Sequence, residues 1–292
     1  MKEKKKVVLD LLRKQFSKDD RVENQVIELA MKKVEGARDD GWGVVYSKGG
    51  KRLIAAKKTL EGAYTVREDT LEICDYAFWG CAFVRSVAMP ASVTHIGDEA
   101  FAHCLSLESV YLPPSVETMG RNPFVGLDAK VVKNQSPHFA VDSKILYDAD
   151  RTLVVSCLTD ASMIILPKTV RTVGPLAFTR RSKLRKVQLP DGLETIGRDA
   201  FSDCAALEEV VIPATVTAIG PYAFAECDSL RKVTFLGSPE RVARTAFSDC
   251  DSLASIIVPE GKERKFRKQL HLAQESDVMV LPPAQESSVS TK

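Results

Sequence analysis

The chain has 292 residues, 45% hydrophobic and 27% charged, and its 41 basic and 39 acidic side chains leave a formal charge of +2. That balance excludes the broad basic footprint of a phosphate-backbone binder, so no nucleic-acid partner is expected. No run approaches the roughly 20 apolar residues of a membrane span, and Val7, Val8 and Leu9 run into Asp10, Arg13 and Lys14, too short an apolar core for a secretory leader. A cytoplasmic protein is expected, with surface exposure by another route left open.

Residues 1–40 read as a helical N-terminal cap. Val8, Leu11, Leu12 and Phe16, then Val22, Val26, Leu29, Ala30, Lys33 and Val34, recur at helical spacing. The basic run Lys2, Lys4, Lys5 and Lys6 is short and terminal, a solvated end.

Residues 41–260 are governed by a repeat. Phe78, Phe101 and Phe124 stand 23 apart, as do Phe178, Phe201, Phe224 and Phe247, and a fixed period of this length marks a solenoid. Five positions before each Phe is Ile73, Ile96, Met119, Val173, Ile196, Ile219 or Val242, followed by Cys74, Gly97, Gly120, Gly174, Gly197, Gly220 or Ala243. Because Cys and Ala replace Gly, that site needs a small side chain for close coil packing more than a positive φ. Cys81, Cys104, Cys204, Cys227 and Cys250 come three residues after the Phe, and Pro90, Pro113, Pro167, Pro190 and Pro213 eleven before it. The segment ahead of each proline alternates, as in Glu209-Val210-Val211-Ile212, which predicts a strand with Val210 and Ile212 inward. Each coil is therefore expected to be a strand, a proline-marked bend, a tight apolar turn and a brief helical segment carrying Ala-Phe.

Phe124 and Phe178 are 54 apart, one repeat plus 31 residues. The excess has a twin: the alternating stretch at 44–54 resembles that at 145–154, and each reads as a β-hairpin. Two hairpin-led modules, about 43–133 and 144–258, are expected in series. Residues 261–280 then read as a C-terminal cap and 281–292, with Pro282-Pro283, as a disordered tail.

The run Ile219-Gly220, Ala223-Phe224, Cys227, Leu230 and Val233 resembles the 23-residue repeat of the BspA-like leucine-rich repeat family of treponemes and other bacteria, over about residues 43–260. The resemblance implies a right-handed α/β repeat solenoid with a concave parallel sheet and a short helical or irregular convex side. It also implies a binding protein, since several members are bacterial surface adhesins.

No catalytic or metal-binding constellation accompanies the repeat. There is no C-x-x-C, and His95, His103, His138 and His271 are scattered. His103-Cys104 invites a nucleophile-base reading, but Cys104 occupies the repeated core position, and five of the seven cysteines do the same, as a ladder of free thiols. Gly41-Trp42-Gly43 opens no helix after a strand, so no phosphate loop and no cofactor are expected.

What remains is surface. The outward strand position is Thr65, Ala88, Tyr111, Ile165, Gln188, Val211, Thr234 and Ile257 in successive coils, beside Ser109, Met163, Lys186, Glu209, Lys232 and Ser255. With strands about 4.8 Å apart this face extends roughly 40 Å, enough for a standard interface. Ala88, Tyr111, Ile165, Gln188, Val211, Thr234 and Ile257 are the candidate contacts of a protein partner or of self-association, in a non-enzymatic scaffold or, alternatively, a surface adhesin.

Overall fold

The computed structural model describes residues 34–270 and the backbone of 279–281; residues 1–33 of the expected N-terminal helical cap and the tail beyond Leu281 lie outside the described residues, while the end of that expected cap is not helical but carries the strand Arg38–Asp39. The repeat winds into a solenoid whose coils hydrogen-bond along three lines. The first is the predicted strand sheet: Met163–Ile165, Lys186–Gln188, Glu209–Ile212, Lys232–Phe235 and Ser255–Ile257 pair in parallel, and Met279–Leu281 adds a last strand. In the first half, Glu61–Thr65 pairs with Phe83–Ala88 and Ser109–Leu112 with Val131–Asn134. Period-2 burial holds: Val210 and Ile212 are buried, Glu209 and Val211 exposed.

Where a proline follows the strand it ends it, since it lacks an N–H to continue the ladder, and its carbonyl starts a turn, as in Leu193 N–H to Pro190 C=O at 2.9 Å; Arg67 and Leu236 stand there in two coils. Where a tight apolar turn is expected, the structure has a second parallel sheet of two-residue strands, among them Thr172–Val173, Thr195–Ile196, Ala218–Ile219 and Arg241–Val242. The small residue that follows is required by the neighbouring coil and not by φ. A Cβ on Gly97 would fall 2.4 Å from the Asp75 backbone nitrogen, and one on Gly220 2.6 Å from that of Arg198.

The Ala-Phe segment is not helical but a run of turns. Its backbone is left-handed two residues before and two after the Phe, at Asp199 (φ 53°) and Asp203 (φ 58°) around Phe201, and at Tyr222 (φ 58°) and Glu226 (φ 57°) around Phe224. A helix cannot pass through such residues. Their N–H groups point to the next coil instead and form the third line: Asp199 to Pro221 C=O at 3.0 Å, Phe201 to Ala223 C=O at 2.7 Å, Asp203 to Ala225 C=O at 2.9 Å.

Inside, the Phe rings stack face to face, with centroids 4.8 Å apart for Phe178 and Phe201 and 5.1 Å for Phe201 and Phe224. The cysteines line up beside them. Cys204 Sγ donates to Phe178 C=O at 3.2 Å and Cys227 Sγ to Phe201 C=O at 3.2 Å, so a small, apolar residue with one weak donor suits the site.

Both predicted hairpins form, each with one more strand on its outer side. Arg38–Asp39, Val44–Tyr46 and Arg52–Ala56 make an antiparallel meander, and so do Phe139–Asp142, Ile145–Asp148 and Leu153–Cys157. The second meander stands between two cores: Leu146 and Val155 join the first, Tyr147 and Val154 the second. Long-range contacts clamp the junction, two of them from the side chains of Asn122 and Arg181. Asn122 Nδ2 donates to Leu176 C=O at 2.5 Å, and buried Arg181, standing where other coils carry Cys, donates to Leu127 C=O at 2.8 Å. At the far end the helix Glu263–Leu270 buries Phe266 and Leu270 against the last coils.

Candidate protein-binding face

The outward side of the long strands carries a row in which apolar and polar side chains alternate, bordered by charge. In the second module Ile165, Gln188, Val211, Thr234 and Ile257 form the row, set by the register Ile165↔Gln188 and Val211↔Thr234↔Ile257. Ile165 is 60% exposed and Val211 48%, while Gln188 is exposed and Thr234 and Ile257 half-buried. Two positions earlier come Met163, Lys186, Glu209, Lys232 and Ser255, and at the strand entrance Arg185, Glu208 and Arg231. Glu208 bridges Arg185 at 2.5 Å and Arg231 at 3.2 Å, and Lys232 reaches Glu209 at 3.7 Å. The hydrogen bond from Arg185 holds the Glu208 carboxyl below its ordinary range. Exposed pairs of this kind add little stability, but they hold three cations and two carboxylates in fixed order beside the row.

In the first module Thr65 pairs with Ala88 and both are exposed, with Tyr111 further along at 37% exposure. The sequence places Ile165 next after Tyr111, but the structure does not. Tyr111 pairs with Lys133, and its hydroxyl donates to Gln135 Oε1. The strand Val131–Asn134 lies 22 residues from its partner, in the register Val110↔Val132, so a strict 23-residue frame steps over it and misses Lys133. The row is therefore two rows, separated by the second meander.

The chemistry of the thiols and the histidine is that of a core. Burial pushes Cys204 up to about 12 and Cys104 well above the ordinary thiol value, and lowers His103 to about 4. His103 packs edge-on against Trp79 at 5.4 Å, and Cys104 Sγ donates to Phe78 C=O at 3.1 Å. A thiol held protonated beside an imidazole held neutral is the reverse of an activated pair. Among the described residues no group of three or more His, Cys, Asp or Glu is placed to hold a metal, and no helix is long and apolar enough to cross a membrane.

Parallel strands stacked coil on coil over a ladder of Phe and Cys define a leucine-rich repeat solenoid. The chain belongs to the BspA-type leucine-rich repeat family, whose repeat matches residues 64–145 and 156–270 in six copies. Its fold is shared by a leucine-rich cell surface protein of Faecalibacterium prausnitzii, at 20% identity and TM-score 0.59, over 71% of this chain and 62% of that one. A leucine-rich repeat protein of Eubacterium ventriosum (19% identity, TM-score 0.53, 82% of each chain) and the pneumococcal vaccine antigen PcpA (19%, 0.55, 77% of this chain and 68% of that one) are similar in the same way. This chain thus spans under two thirds of the F. prausnitzii protein's length. No curated protein matches it.

Proposed function

We propose that the chain is a non-enzymatic scaffold that binds a protein through the outward side of its long-strand sheet. The observation that carries this reading is the row of large apolar side chains left in solvent at Ile165 and Val211, with Met163 beside it and Tyr111 on the first module. Large apolar side chains left exposed on one face, here on either side of Gln188, mark interaction sites. The excess of cations in the bordering rows favours a partner whose apolar patch has an acidic rim. The contacts are Ile165, Gln188, Val211, Thr234 and Ile257 in one row and Ala88 and Tyr111 in the other.

The test is affinity capture from lysate with the wild type beside Val211→Glu, Tyr111→Glu and the double variant, together with light scattering for self-association. Loss of one partner, or of a dimer, with Val211→Glu assigns the second row, and loss with Tyr111→Glu the first. If the double variant keeps every partner and its oligomeric state, this face is the wrong one. A second reading, a surface adhesin, is favoured by the description of the F. prausnitzii relative as a cell surface protein. Labelling of the chain on intact cells would support it.

A further inference from the structure

The two halves of the long-strand sheet do not pair with each other: Val131–Asn134 bonds to Ser109–Leu112 and Met163–Ile165 to Lys186–Gln188. Val131 N–H bonds Glu108 C=O at 3.2 Å and Gln135 N–H bonds Leu112 C=O at 2.9 Å. Alternate residues of a parallel strand face the same neighbour, so Val132 and Asn134 turn their N–H and C=O groups into the junction. On the opposite side Lys186 N–H bonds Ser162 C=O at 3.1 Å and Leu166 N–H bonds Gln188 C=O at 3.1 Å, which turns the groups of Met163 and Ile165 toward the same space. Ala129 N–H to Leu158 C=O at 3.0 Å and Asp160 N–H to Asp128 Oδ1 at 3.3 Å join the two halves at the base of this junction. Val131, 46% exposed, and Met163, 49%, stand on its two sides.

The second module shows what such an edge accepts. Its last repeat strand, Ser255–Ile257, is the counterpart of Val131–Asn134. There a segment outside the repeat, Met279–Leu281, adds in parallel with Ile256 opposite Val280. The same edge of the first module has no added strand among the described residues. An unpaired edge is a template for an extended chain.

We propose that the junction is a strand-addition site. It takes an extended, proline-free segment of a partner protein, apolar at alternate positions, as a parallel strand on Val131–Asn134. Lys133, which makes no ion pair among the described residues, selects a carboxylate beside it. The site abuts the proposed binding face, meeting its rows at Lys133 and Ile165 but not at Val211, so Val211→Glu should leave it intact and the two readings can fail separately.

The probe is a fluorescent peptide of residues 276–281, Ser-Asp-Val-Met-Val-Leu, titrated into the full-length chain with amide exchange followed residue by residue. The expected result is that the Val132 and Asn134 amides, fast in the free chain, slow about tenfold or more at saturation. The double variant Val131→Lys, Met163→Lys, both at exposed sites, should weaken binding about tenfold with an unchanged denaturation midpoint. A peptide with Leu281→Glu, which the register places opposite Lys133, should bind more tightly, and Lys133→Ala should cancel that gain. Protection of Val132 and Asn134 already present in the free chain, exchange there that the peptide leaves unchanged, or binding indifferent to the double variant would each overturn the proposal.

Discussion

Replacing Phe201 with Ala removes a ring that is fully buried and stacked on both faces, 4.8 Å from Phe178 and 5.1 Å from Phe224. Burial of the ring contributes roughly 1.5–3 kcal/mol, and each aromatic pair about 0.5–1.5 kcal/mol more. The expected loss is about 3–5 kcal/mol, the usual range for a buried Phe→Ala with its cavity. Phe247 is the internal control. It stacks at 5.3 Å on Phe224 alone, lies edge-on to Phe235 and is only half-buried, so Phe247→Ala should cost about half as much. Urea melts followed by circular dichroism measure both. Because coils touch only their neighbours, amide exchange should quicken first at Phe178 and Phe224 and last at Phe78. A loss below about 1 kcal/mol for Phe201→Ala, or equal losses for the two variants, would refute the stacked ladder as the source of stability.

Glu226, exposed and left-handed at φ 57°, should gain about 0.5–1 kcal/mol as Glu226→Gly, since relief of the left-handed conformation exceeds the entropic cost of glycine, whereas Glu226→Ala should gain nothing in the same melts. Arg181→Ala deletes the buried guanidinium that donates to Leu127 C=O; it should cost about 2–3 kcal/mol, and calorimetry should then resolve two transitions where the wild type shows one. Glu99 has its carboxyl raised, first by burial and then by Asp98 and Asp199, against Arg121 and the Tyr76 hydroxyl. A raised carboxyl means that the folded chain holds the proton more tightly, so its contribution is complete below the ordinary Glu value and is lost as pH rises through the folded value. Glu99→Gln should therefore raise the denaturation midpoint at pH 7 and leave it unchanged below about pH 4.

The repeat was legible because its signals are side chains with one job each. A Phe to stack, a small residue where the next coil's backbone comes close, a Cys to meet a carbonyl and a Pro to end a strand all recur in phase. The two-residue strands were not legible, because a pair such as Thr195–Ile196 has no periodicity to detect. Nor were the left-handed turns, where residues as different as Leu176, Arg180 and Asp203 replace the glycines that would have announced them. Of the candidate face, the alternation at 209–212 placed Val211 outward from sequence alone. The neighbour of Tyr111 was lost to the single-residue shortening of the coil after Phe124, which moves Lys133 into the row and carries no motif of its own.

The meander between the modules has a consequence for how such a chain can change length. Leu146 and Val155 finish one core while Tyr147 and Val154 begin the next, so its two surfaces are fitted to different neighbours. Within a module, an added 23-residue coil meets copies of itself above and below and can enter or leave singly. At the junction a lone coil finds no matching surface, and only a complete hairpin-led unit restores both. Growth in this architecture therefore proceeds in two step sizes, one coil inside a module or one whole module between them.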